Sequence, residues 1–225
     1  MSVSFAFIAI LVGLVVWGLL VRRLTSRPWE THGAPDDTGH GGAISVPPAK
    51  IGLWVLLAVI SSLFGLFISA YYMRMGHAHG DWNPLALPRV LWLNTALLGL
   101  SSVGMQAARG AVRRGQTDRV RVGLIASGLF AAAFLVGQLW AWSQLNASGY
   151  FLGAPAAAFF YLLTAVHGLH LLGGLFVWGK TMVRMMPASV EAIDVRSSVE
   201  LCTVYWHYLL IVWLVLFAVL LSTSA

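Results

Sequence analysis

Residues 156–179 read AAAFFYLLTAVHGLHLLGGLFVWG, twenty-four positions without a single Asp, Glu, Lys or Arg. A helix of about 20 apolar residues crosses roughly 30 Å of hydrocarbon, so this stretch is long enough to span a bilayer. Working outward, five more runs of the same kind appear: Ser2–Val21, Ile51–Met73, Pro88–Ala108, Val122–Trp142 and Leu201–Leu221. Each is bounded by charge, proline or glycine. Backbone groups in lipid must be satisfied within the segment, so the runs are expected to be helices. The chain is therefore read as an all-α membrane protein with six transmembrane helices.

Composition agrees. Of 225 residues, 59% are hydrophobic and only 10% charged, far too little charge for a soluble surface. The net charge of +6 would suit nucleic acid, but the basic residues sit in short loops between apolar runs, which is the membrane pattern. The segments after the first, third and fifth spans hold 12 of the 14 Lys and Arg residues; the opposite side has only Arg74 and Arg89. By the positive-inside rule both termini lie outside and the three basic segments face the cytoplasm. Arg22, Arg23 and Arg27 directly follow the first run, with no basic residue before it and no small-residue cleavage site after it. That layout reads as a retained helix rather than a signal peptide. Trp82, Trp140, Trp142 and Trp178 fall near the expected interfaces, where indoles settle.

Three regions follow: an N-terminal transmembrane helix (1–23), a cytoplasmic linker (24–50) and a five-helix bundle (51–225). The linker carries Pro28, Pro35, Pro47, Pro48 and a Gly39–Gly42 cluster, and is not expected to be regular. Its 27 residues reach about 90 Å when extended, so the first helix is free to dock away from the bundle.

One cysteine, Cys202, excludes an internal disulfide, a CxxC redox pair and a CxxCH haem attachment. His77, His79 and Asp81 share an outer loop, but a metal site needs three or four converging ligands, so the loop is read as solvated. His167 and His170 are three residues apart on one helix face, near mid-bilayer, and His207 of the last span falls at comparable depth, within about 5 Å. An ionisable residue in the membrane is a functional candidate. One reading is a b-type haem ligated from two helices. The other, preferred, is a buried hydrogen-bonded layer between helices, because haem-carrying bundles usually show several ligand pairs. Every Asp and Glu lies in a loop or at a helix end, Glu200 nearest a span, so no carboxylate relay runs through this chain. A transporter with broken helices is disfavoured, since no central proline pair interrupts the spans.

The stretches Phe159–Gly174 and Tyr205–Trp213 resemble subunit III of the haem–copper oxidases, the first as its HGLH helix and the second as its final YWH helix. Glu200 stands seven residues before His207, where the family also has a glutamate. Leu93-Asn94-Thr95, the Ser101–Ser102 pair and Gln138 resemble further family motifs, so the likeness runs from about Lys50 to Leu221. The resemblance implies a non-catalytic accessory subunit that binds phospholipid, sustains proton uptake and protects the oxidase during turnover. It implies no haem or metal bound by this chain. Haems and copper belong to the partner catalytic subunit I, and subunit II accepts electrons. It also implies a bacterial cytoplasmic membrane. His167, His170, Glu200, Trp206, His207, Asn94 and Gln138 are then polar packing residues. Three family carboxylates are missing: Val59-Ile60-Ser61-Ser62 has no acid, and Ala141 and Leu210 stand where the family often has Glu and Asp. A subunit accompanying nitric oxide reductase is a close alternative, and a stand-alone b-type cytochrome an alternative of another class.

Overall fold

The structure, a computed structural model, describes residues 48–77, 82, 85–149, 154–185 and 195–223. The expected first helix (Ser2–Val21) and most of the linker lie outside the described residues. Within them are five helices: α1 (Pro48–Gly76), α2 (Val90–Arg113), α3 (Thr117–Ala147), α4 (Pro155–Arg184) and α5 (Arg196–Thr223). All five are long and apolar enough to cross a membrane.

Each helix overruns its apolar core by several residues, because the helix continues to satisfy the backbone once the chain leaves hydrocarbon. One boundary is corrected by this. The linker was expected to run to Lys50, yet α1 begins at Pro48. Proline suits the first helical turn, where its missing N–H would have no partner anyway. The third span also starts later than Pro88, at Val90, with the Leu91 N–H bonded to the Pro88 carbonyl. Between α2 and α3 only three residues remain, and Gly115 in that turn has φ +69°, which favours glycine.

Helices α2 to α5 share one core built on Phe134, Phe160, Trp206 and Trp213, all essentially inaccessible. The closest approach is between α2 and α3. A Cβ on Gly123 would sit 2.8 Å from the Ala108 backbone nitrogen, and one on Gly104 3.1 Å from that of Ser127. Small residues let helix backbones meet in this way where lipid offers no hydrophobic drive to associate. Helix α1 lies on α4 and α5 through a second cluster, in which Ile60 and Phe64 meet Leu163, Val212 and Leu216. Leu66, Val122, Leu129, Val136, Leu169 and Phe176 point outward and are exposed. Such an apolar exterior is unstable in water and expected in lipid.

Candidate functional site

Several polar side chains inside the bundle form separate hydrogen-bonded ties between helices. At the centre, Ser101 of α2 donates to the Ser127 carbonyl of α3 at 2.7 Å and accepts from the Trp206 indole of α5 at 2.7 Å. Nearer the other end of α2, Asn94 donates to the Gln138 side chain at 3.3 Å. Gly137 makes room for it, since a Cβ there would collide with the Asn94 amide. Trp213 bonds Thr95 at 3.0 Å, and Trp142 bonds Thr164 at 3.0 Å. Trp178 donates to the Leu124 carbonyl at 3.0 Å, its ring lying where a Cβ on Gly128 would stand. Trp142 and Trp178, read from sequence as interface markers, thus also join helices.

The histidines do not act together. His167 is fully buried among Phe64, Phe134 and Trp213, with ring centroids 6.4, 5.8 and 5.3 Å away, and neither ring nitrogen has a partner. His170 also meets Phe64, at 5.6 Å, and its Nδ1 lies 2.7 Å from the Val166 carbonyl. His207 Nδ1 lies 2.9 Å from the Thr203 carbonyl, while its ring lines a cleft beside α2 and α3. A carbonyl only accepts, so in both rings Nδ1 carries the hydrogen. His170 therefore faces α1 and His207 faces α2 and α3. Two axial ligands must converge on one iron; here His170 packs against Phe64 and His207 lines the cleft beside α2 and α3. No group of three or more His, Cys, Asp or Glu side chains with metal-binding geometry occurs among the described residues.

At the basic end, Glu200 of α5 binds Arg113 of α2 at 3.1 Å and Arg196 at 3.5 Å. In the three regions that lack the family's carboxylates, Ser61 bonds the Tyr208 hydroxyl at 2.8 Å, Ala141 is fully buried, and Leu210 lines the cleft beside His207. His77 bonds the Met73 carbonyl at 2.8 Å, at the end of α1; its loop partners His79 and Asp81 lie outside the described residues.

The sequence reading singled out Asn94, Gln138 and Trp206, which each make or share an interhelical tie. It did not single out Ser127, Thr164 or the Ser61–Tyr208 pair as site residues. Serine and threonine in an apolar span commonly bond their own helix backbone, so nothing local marks the few that reach across.

Residues 45–224 match the family described as Cytochrome c oxidase subunit III. A protein of Nocardia farcinica named "Probable cytochrome c oxidase subunit 3" is 27% identical over 178 residues, covering 75% of this chain and 85% of its own length. One of Thermostichus vulcanus named "Cytochrome c oxidase subunit 3" is 29% identical over 175 residues, covering 76% and 85%. A Synechocystis protein of the same name is 27% identical over 201 residues, covering 86% and 80%.

Proposed function

The chain belongs to the cytochrome c oxidase subunit III family, and from that premise we propose that it is a non-catalytic accessory subunit of a haem–copper terminal oxidase. In this reading it packs beside a catalytic subunit I, which holds the haems and copper, and an electron-accepting subunit II. It is a multi-pass protein of the bacterial cytoplasmic membrane, with its arginine-rich helix ends inside. The observation that carries the reading is the family match over residues 45–224. The internal ties support it: Ser101, Asn94, Thr95 and Thr164 are engaged in helix-to-helix bonds, the work of a rigid scaffold rather than of a reaction centre.

The proposed contribution is rigid packing, lipid contact and sustained proton uptake by the neighbouring subunit. With no acid in Val59-Ile60-Ser61-Ser62, and with Ala141 and Leu210 where the family often has Glu and Asp, direct proton buffering at those positions is not part of it. The test is to delete the subunit, purify the remaining oxidase, and measure turnovers before inactivation together with proton uptake. Unchanged values for both would refute the role. The names of the relatives favour an oxidase over a nitric oxide reductase, and the gas consumed by the purified complex distinguishes the two.

A further inference from the structure

A cleft of about 910 Å³ opens between α2 and α3, with His207 and Leu210 of α5 on one wall. It lies within the size range of small-molecule sites, about 300–1,000 Å³, which are apolar clefts with a few converging polar groups. Ser102, Gln106 and His207 line it inside the membrane, and Arg114 and Arg119 line its basic mouth.

The inner groups are held at one level. The Trp206 indole bonds Ser101 at 2.7 Å, and the next residue on each helix, His207 and Ser102, lines the cleft. Each lies about 16 Å from the basic end of its helix, Arg196 of α5 or Arg113 of α2, and so near mid-bilayer. Ser102 is 4% exposed, and its hydroxyl has no partner. Ser61, Thr95 and Thr203 bond the carbonyl one turn back; Ser102 does not use that of Leu98. A hydroxyl left unpaired in an apolar setting is costly.

His207 Nδ1 donates to the Thr203 carbonyl. Charge is costly at this depth, so the ring is neutral and its Nε2 is an acceptor. Gln106 is exposed on the same wall, one turn nearer the mouth and about 6 Å along the helix. A hydroxyl, an acceptor nitrogen and an amide thus face one apolar cleft.

We infer that this cleft binds a membrane-soluble quinol, a flat ring with hydroxyls at opposite corners and an apolar tail. One hydroxyl donates to His207 Nε2 and accepts from Ser102. The other stands at Gln106, because the two oxygens of such a ring are separated by about one helical turn. The tail runs out into lipid. The oxidised quinone has acceptors only and would leave Nε2 unpaired, so the reduced form is the one selected. A phospholipid is the poorer occupant. With its phosphate at Arg114 and Arg119 it brings only acyl chain to the level of Ser102 and His207. The site lies wholly within this chain, so it stands apart from the accessory-subunit reading.

The experiment is equilibrium binding to the purified full chain in phosphatidylcholine nanodiscs, with empty nanodiscs correcting for partition into lipid. The probes are decylubiquinol, decylubiquinone and the dimethyl ether of decylubiquinol. One decylubiquinol per chain is expected. The ether keeps the shape but has no donor, so it and the quinone should each bind about tenfold more weakly. Ser102→Ala should weaken quinol binding about fivefold. His207→Phe should do the same and abolish the difference between quinol and ether. If His207→Phe fails to fold, Ser102→Ala and Gln106→Leu decide alone. Arg114→Ala should leave the quinol bound. Equal binding of quinol and ether would show apolar partition and overturn the site. So would a quinone bound more tightly than the quinol. A quinol lost in Arg114→Ala but kept in Ser102→Ala would overturn it too, as the pattern of an anionic lipid at the mouth. Absence of quinol binding would overturn it outright, and loss of co-purifying subunits in Ser102→Ala would then assign the cleft to a neighbouring helix.

Discussion

The Trp206 indole and the Ser101 hydroxyl, 2.7 Å apart, join the last helix of the bundle to the first of its core, and Ser101 passes the bond on to the Ser127 carbonyl. Three helices therefore meet on one oxygen atom. Trp206 is 1% exposed, so its N–H has no water to turn to if that oxygen is removed. Ser101→Ala is expected to lower stability by about 1–3 kcal/mol, the cost of an orphaned buried donor. Interhelical bonds in membranes often measure less, averaging about 0.6 kcal/mol. A double-mutant cycle with Trp206→Phe, read by thermal unfolding in detergent, isolates the bond itself. A coupling energy of zero would mean that the two residues only share space.

The α2–α3 contact predicts a contrast between glycines. Gly123→Val places carbon against the Ala108 backbone, which cannot yield, and should push the helices apart. The expected loss is about 1–3 kcal/mol or more, as for an overpacked core. Gly65→Ala, at an open position in α1, should be neutral or slightly stabilising. Comparable losses of assembled protein in the two variants would show that the close approach is not what holds α2 to α3.

The Glu200 cluster should matter less than its geometry suggests. Arg113 and Arg196 have side chains 50% and 48% exposed, so water and salt screen them. Glu200→Gln is expected to cost at most about 1 kcal/mol, the range for exposed pairs. The effect should shrink further in high salt, and thermal unfolding at low and high ionic strength checks both statements. A loss exceeding that of Ser101→Ala would point to a contact at Glu200 made only in the assembled complex.

The five helices of the bundle were legible because their length and lack of charge are direct consequences of the bilayer. Which face of each helix turns inward was not. Phe176 and Phe160 are equally apolar, yet one is exposed and the other fully buried. Lipid and protein core are alike to an apolar side chain, so the polarity contrast that reveals an amphipathic helix in water is missing. The same limit hid the histidines' separate roles. Spacing put His167 and His170 on one face, and both do meet Phe64. Depth then suggested His207 as a companion, but depth carries no information about azimuth, and His207 turns to the cleft beside α2 and α3. Gly137 illustrates the remainder. Only the fold shows that it is small because the Asn94 amide occupies its place.

His167 gives the sharpest test of the view that these histidines serve packing alone. It is enclosed by three aromatic rings, and both of its nitrogens lack partners. A buried polar group left unpaired costs about 1–3 kcal/mol, whereas an apolar residue of similar shape carries no such cost. His167→Leu should therefore be neutral or stabilising. His167→Ala should lose about 2–5 kcal/mol, as for truncation of a large buried side chain, because the cage of Phe64, Phe134 and Trp213 would close around a cavity. The pair separates volume from polarity, and thermal unfolding of the two variants beside the unaltered protein reads the difference. If His167→Leu destabilised as much as His167→Ala, the imidazole would be bonded to something, a buried water or a group of a neighbouring subunit, and its nitrogens would be in use. Oxidase turnover measured on the same variants then tells whether that bond serves stability or proton supply.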